Sequence, residues 1–288
     1  MNFLFISDYS LQHTIGGAQR SNDIILREGK NRNHDITVLH IDTDEGDILQ
    51  KDYDIVISSN LEAFYRHKPH VIKYLQSLTN HVRLEHDMCR YLSTEDRTLL
   101  YGNCIKSFFL TQYHYDRFKE EYGNIFKNVE IVPDPIDTSV FYDKNMERID
   151  RVLYAGFLHP LKGSDHFAKF AEDHPEMGFD IIGWGDPKYK AFFDKLENVN
   201  YLGGVRYEDM PLVFNSYLSF YCCPIISEPF CRTFAEAHLC GIKNLYCNDM
   251  IGSLHDIKTY GNEEFKSRCG KAQETFWEKI ENEINKIK

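Results

Sequence analysis

Ser227-Glu228-Pro229-Phe230-Cys231-Arg232-Thr233-Phe234-Ala235-Glu236-Ala237 lies between two short apolar runs, residues 218–222 and 244–247, and Gly241 closes the segment. Read as strand, loop, helix and strand, it is one crossover of a parallel sheet. A helix opening near Cys231 leaves Glu228 on the loop ahead of its N-terminus and Glu236 within it. The unpaired N–H groups of a first helical turn, together with the helix dipole, favour an anion such as phosphate at that end. One carboxylate then faces whatever sits at the helix mouth, and the other reaches a group alongside.

The same alternation extends to both ends of the chain. Apolar runs at 2–7, 36–41, 54–58, 81–85, 105–110 and 129–132 predict six strands. After a break, runs at 152–154, 179–182, 199–202, 218–222 and 244–247 predict five more. Amphipathic stretches such as 17–28, 113–121, 164–173 and 207–215 fall between them. Strands alternating with helices argue for parallel sheets covered on both faces. The break is Val132-Pro133-Asp134-Pro135-Ile136-Asp137, whose two prolines continue neither element type. The expected fold is therefore α/β with two Rossmann-like domains, 1–137 and 138–272. A closing helix over 273–288 carries Thr275, Phe276, Ile280, Ile284 and Ile287. Ligands of such sheets bind outside the carboxyl ends of the strands, here in the expected cleft between the two halves.

Composition narrows the partners. The net charge of −11 is shared, −6 through Thr138 and −5 beyond it, so neither half matches bulk nucleic acid or anionic lipid. The first residues meet Asp8 without a charged lead, and no apolar run approaches the ~20 residues needed to span a bilayer. Cys89, Cys104, Cys222, Cys223, Cys231, Cys240, Cys247 and Cys269 include no CxxC pair of metal-like spacing. They read as reduced thiols, and the expected location is the cytoplasm. Thirty-eight Tyr and Phe residues suit deep cores and sugar- or base-contacting surfaces equally.

Four further segments fall at strand ends. Gly16-Gly17 opens the first helix and allows close backbone approach to a charged ligand. Glu85-His86-Asp87 puts a histidine at a strand end with a carboxylate on each side, suited to a sugar hydroxyl or to developing charge. Ala155-Gly156-Phe157-Leu158-His159-Pro160-Leu161-Lys162-Gly163 holds Lys162 in a glycine-flanked turn, where an ammonium can cap a diphosphate. Gly183-Trp184-Gly185 ends a strand in a turn against which a nucleobase can lie. Each taken alone is also consistent with an ordinary turn or a structural side chain.

The order of these segments resembles that of the retaining GT-B glycosyltransferases of the glycosyltransferase-4-like superfamily, most closely between Ile131 and Gly252. The resemblance implies that Glu236 binds the nucleotide ribose and that Glu228 contacts the donor sugar. It implies that the backbone at Phe230, Cys231, Arg232 and Thr233 helps hold the donor, and that Lys162 pairs with the diphosphate. Gly16 and Gly17 then face donor phosphate and acceptor, His86 lies near the sugar, and Gly183, Trp184 and Gly185 face the base. Three positions depart from the pattern: Phe157 stands where the family has an arginine, Cys231 replaces a glycine, and no proline follows Gly241. The missing charge would have to come from Arg232, Arg206 or Arg20.

The resemblance implies transfer of a sugar from a nucleotide diphosphate sugar with retention at the anomeric carbon, without cofactor or metal. Asp42-Thr43-Asp44 looks like the metal-binding DxD of the other glycosyltransferase fold, but its acidic surroundings read as a solvated loop. The expected acceptor is a glycan, a lipid-linked sugar or another cell-envelope precursor, with at most peripheral membrane contact. A hydroxylated DNA base is the alternative, although the charge disfavours it. The basic and aromatic stretch from Phe64 to Lys73 is where DNA or a membrane surface would be touched, unless it is an ordinary helix face. A nucleotide-sugar epimerase or an inactive binding relative is the remaining reading. A nicotinamide-dependent dehydrogenase lacks its GxGxxG after the first strand.

Overall fold

The computed structural model of the chain describes residues 1–88 and 94–287; Cys89 and the side chain of Ile287 lie outside what it describes. The chain divides into two compact units, Met1–Pro135 with Ser267–Lys288, and Ile136–Lys266.

The first unit contains β1 (Asn2–Ile6), α1 (Gly17–Asn31), β2 (Asp35–Leu39), β3 (Ile55–Ser58), α2 (Glu62–His67), α3 (Pro69–Ser77), β4 (His81–Leu84), α4 (Thr94–Gly102), β5 (Cys104–Phe109), α5 (Gln112–Tyr122) and β6 (Val129–Ile131). Its six strands are all parallel in the order β2-β1-β3-β4-β5-β6. Alternate residues of β1 feed separate cores. Leu4 and Ile6 pack with Val56, Phe64 and Phe109 on one face, and Phe3 and Phe5 pack with Ile57, Phe108 and Trp277 on the other. With both faces covered, such strands appear in sequence as continuous apolar runs.

The second unit holds β7 (Ile149–Leu158), α6 (Ser164–Asp173), β8 (Phe179–Gly185), α7 (Pro187–Phe193), β9 (Val199–Gly203), α8 (Met210–Ser216), β10 (Tyr217–Cys222), α9 (Arg232–Leu239) and β11 (Asn244–Cys247). Its five strands are parallel in the order β11-β10-β7-β8-β9. The chain winds from β7 to β9 in one direction, then returns to the other side of β7 for β10 and β11. The topological switch point therefore lies between β7 and β10, where the carboxyl ends of two neighbouring strands diverge into loops on opposite sides.

After β11 come α10 (Gly252–Gly270), interrupted by a non-helical Gly261, and α11 (Ala272–Ile287). On α11, Phe276, Ile280 and Ile284 recur at the four-residue spacing of one helical face, and all three are buried in the first unit's core beside Trp277. Trp277 donates its indole N–H to the Ile25 carbonyl at 2.8 Å. All eleven strands occur where the apolar runs predict them, with boundaries moved by a few residues.

Candidate functional site

In the second unit, the loops leaving the switch point bring two candidate residues together. Lys162 follows β7 and Glu228 follows β10, and Lys162 Nζ lies 2.5 Å from Glu228 Oε1. Gly163 makes this approach possible. It adopts φ 80°, and a Cβ there would lie 1.9 Å from the Cys223 carbonyl oxygen. The Ile225 N–H donates to Leu161 O at 3.2 Å, which laces the β10 loop to the β7 loop. On its other side, Glu228 N donates to Met250 O at 2.7 Å and Gly252 N to Glu228 O at 2.9 Å, so backbone fixes the glutamate from behind. The Lys162 side chain is 47% exposed and that of Glu228 12%. Burial would lower the lysine's pKa, but the charge and hydrogen bond of Glu228 outweigh it and hold the ammonium above its ordinary value. The pair presents a fixed cation at the strand ends.

Helix α9 opens beside this pair with no side-chain cap. Its N-cap residue, Cys231, lies in the left-handed region at φ 62°, ψ 76°, where glycine is the usual occupant. Phe230 is buried and its ring stacks with Phe265 at 6.2 Å, anchoring the loop, while Thr233 is half-buried in the first turn. Glu236 is buried one turn into the helix. Its Oε1 accepts from Arg232 Nε at 2.7 Å and from the Tyr207 hydroxyl at 2.6 Å, and Arg232 Nη2 also reaches that hydroxyl at 3.1 Å. Burial, followed by the Glu236 charge, raises the Tyr207 phenol above its ordinary value, so it remains a donor. In the structure Arg232 thus pairs with Glu236. Arg206 pairs with Asp209 on an exposed turn, where its own side chain is 79% exposed. Tyr207 carries no motif in the sequence, and only the tertiary fold brings it to Glu236.

At the end of β8, Gly183 takes φ 141°, and a Cβ there would lie 1.9 Å from Gly156 O, so the two strand ends close to a separation only glycine allows. The following register pair, Phe157 and Trp184, is exposed and meets edge to face at 6.3 Å, with His159 stacked on Phe157 at 5.9 Å. Trp184, Gly185, Asp186, Lys190 and Tyr201 line a shallow pocket of about 340 Å³ beside this turn. The strand ends thus carry an exposed aromatic surface.

The first unit arranges its candidates around His86. Nε2 of His86 lies 3.1 Å from Asn22 Oδ1, which also accepts from Ser59 Oγ at 3.0 Å. Nδ1 faces Asp134 Oδ1 at 3.4 Å. The neighbouring carboxylates in sequence do not flank the ring. Glu85 turns into the core to Arg83 Nη2 at 2.8 Å and to the Tyr101 hydroxyl, and Asp87 takes Asn60 Nδ2 at 2.5 Å. Burial would raise Glu85, but Arg83 and Tyr101 together hold it below the usual carboxylate range. His86 thus lies between Asn22 and Asp134; the second of these sits within the two-proline segment that the sequence marks only as a break. Gly16 is the extended N-cap of α1 and Gly17 its first residue.

The remaining sequence candidates resolve into local structure. Asp42 pairs with His13 at 3.0 Å, and Asp44 accepts from Gly46 N at 3.2 Å in a turn. In the stretch from Phe64 to Lys73, Phe64, Val71 and Ile72 are buried; Arg66 pairs with Glu62, and Lys68 and His70 both pair with Glu45. The stretch runs from the end of α2 into α3. Among the described residues, no three His, Cys, Asp or Glu side chains are grouped to hold a metal ion, and no helix is long and apolar enough to cross a membrane.

Two parallel-sheet units of this topology constitute the GT-B fold, and comparison with solved structures bears this out. AviGT4, a glycosyltransferase involved in avilamycin A biosynthesis, superposes with a TM-score of 0.66 at 12% identity, over 99% of this chain and 98% of its own. Anabaena HepE, solved with UDP and glucose, gives 0.62 at 14% identity over 100% and 99%. An alpha-glucosyltransferase solved with UDP and a 13-mer DNA containing an HMU base gives 0.60 at 13% identity over 98% of each chain. No family model and no curated protein matches the sequence. The chain is a GT-B protein whose structural neighbours are glycosyltransferases.

Proposed function

We propose that the protein transfers a glycosyl group from a nucleotide diphosphate sugar to an acceptor, with retention at the anomeric carbon and without a metal ion, in the cytoplasm. The observation that carries the reading is the meeting of Lys162 and Glu228 beside the uncapped N-terminus of α9, with Glu236 one turn along. In this reading the diphosphate lies against the first-turn N–H groups of α9 and Lys162, and the ribose hydroxyls lie against Glu236. Glu228 holds the donor sugar. Lys162 and the helix terminus stabilise the charge that builds on the departing diphosphate, a stabilisation that grows toward the transition state. Phe157 and Trp184 offer a face on which a base can stack. The first unit, with Gly16, Gly17 and His86, serves the acceptor side.

The acceptor we favour is a glycan or another cell-envelope precursor. A hydroxylated base in DNA is the second reading, supported by the neighbour solved with HMU-containing DNA and opposed by the net charge of −11 and the paired charges between Phe64 and Lys73. Salt-sensitive duplex binding would favour it. Thermal melting against UDP, GDP, ADP, CDP and dTDP and their sugars tests the donor site. A ligand at about 100 times its dissociation constant stabilises a fold by ~2.7 kcal/mol, so a shift selective for one base is expected. Absence of any shift overturns the reading. Turnover of donor without any acceptor would identify an epimerase instead.

A further inference from the structure

Cys222 ends β10 and Cys231 is the N-cap of α9, and their sulfurs lie 3.6 Å apart. Both residues are half-buried, which leaves them within reach of small reagents. Three described residues other than glycine have positive φ: Asn33, Asn145 and Cys231. Asparagine tolerates that region through its own amide, whereas a cysteine there bears a steric cost that glycine would not. A strained residue at the mouth of a functional loop calls for a reason, and the adjacent sulfur supplies one.

The surroundings suit thiol chemistry. Cys231 sits at the amide end of α9, and the ammonium of Lys162 is close to both sulfurs. The hydrogen bond with Cys231, then burial, raises the Cys222 thiol well above its ordinary value. Placed at the mouth of α9, Cys231 takes the role of attacking sulfur, and Cys222, at the end of β10, that of the resolving one.

We propose that Cys222 and Cys231 are a reversible redox site, closed to a disulfide by a peroxide oxidant. The Cys231 sulfur attacks one peroxide oxygen, the O–O bond breaks, and a sulfenic acid and one water form. Cys222 then displaces the hydroxyl from that sulfur; the S–S bond forms and a second water leaves. Two electrons and two protons from the thiols reduce one peroxide to two waters. A dithiol reductant reverses the step by exchange. The sulfurs must close from 3.6 Å to about 2 Å, which draws the end of β10 and the first turn of α9 together. The bridge closes the ten-residue loop that carries Glu228. Resting on the donor reading above, the closed form binds nucleotide more weakly than the open one.

The test uses the full chain, native, treated with hydrogen peroxide, alkylated and digested with chymotrypsin, which cuts after Tyr221 and Phe230. The expected product links the peptide beginning at Cys222 to the one beginning at Cys231, through Cys222, with Cys223 alkylated. Cys222→Ala abolishes the link, and Cys231→Gly, which suits the backbone there, abolishes it in a chain that still folds. Oxidation weakens nucleotide binding by about tenfold, and dithiothreitol restores it. Bridges to Cys223 or Cys247 instead, or none, overturn the redox site. A 222–231 bridge with unchanged nucleotide affinity overturns its coupling to binding. A chain that forms the bridge but binds no nucleotide in either state supports the redox site and removes the donor reading.

Discussion

Tyr207 and Arg232 share one acceptor: Oε1 of Glu236 takes the phenol hydroxyl at 2.6 Å and the guanidinium Nε at 2.7 Å. The arginine neutralises a carboxylate that would otherwise be buried with its charge uncompensated. Under the proposed function, the phenol occupies the position that a ribose hydroxyl would take over.

Tyr207→Phe should therefore lower stability by about 2 kcal/mol, the usual worth of a hydrogen bond to a charged group. Saturating nucleotide should narrow that gap, because the incoming hydroxyl restores the lost partner. Urea unfolding of both proteins with and without nucleotide measures it; a gap that stays constant means that Tyr207 and the ribose do not share Glu236.

Glu228→Gln keeps the shape of the side chain and removes its charge, and should reduce kcat far more than nucleotide affinity. Lys162→Met should reduce kcat by roughly 10²-fold, in the range found when one preorganised charge-stabilising donor is removed. Glu236→Ala should act first on nucleotide binding. Steady-state kinetics and calorimetry on the three variants separate these effects, and near-normal turnover in both Glu228→Gln and Glu236→Ala would sink the assignment.

What the sequence makes legible follows from how each feature is encoded. Strands buried on both faces are written largely as apolar runs, so β1 is visible from Phe3 to Ile6, and β8 from Ile181-Ile182 and the glycines that follow. Lys162 and Glu228 were visible as members of an ordered set of segments, although their 2.5 Å contact was not, because Gly163 and the lacing of two loops create it. Tyr207 and Asn22 were hidden for a different reason. Each sits in an amphipathic helical stretch as an ordinary polar position, and only the fold gives it a partner. The sequence also suggested that Glu85 and Asp87 flank His86, whereas Glu85 is drawn into the core by Arg83.

Stability should fall in mild acid. Burial depresses His81 to about 3 and His114 to about 4, with Arg83 adding to the effect at His81 and Glu85 partly opposing it at His114. The unfolded chain binds protons at both sites below about pH 6.5, and the folded chain does not until pH falls to these lower values. The contribution is complete above pH 6.5 and shrinks as pH drops toward 4, by about 1.4 kcal/mol per pH unit for each histidine. Melting curves between pH 7.5 and 5 should show a steep decline, and a flat profile would contradict the buried neutral state.

Arg83→Met should cost about 3–5 kcal/mol, since it leaves Glu85 buried without its cation. Adding Glu85→Gln should recover part of the loss. Denaturant unfolding of the single and double variants gives the coupling between the two.

The return of the chain to its first unit sets an order on synthesis. Gly29 of α1 accepts the face of Trp277 so closely that a Cβ there would lie 2.3 Å from the indole, and Phe276, Ile280 and Ile284 fill the same core. A nascent chain emerging from the ribosome presents every strand of the second unit before α11 exists, while the six strands translated first still lack the helix that covers one of their faces. The later half of the message can thus complete its core first, and the earlier half must keep an apolar face uncovered until translation reaches Trp277.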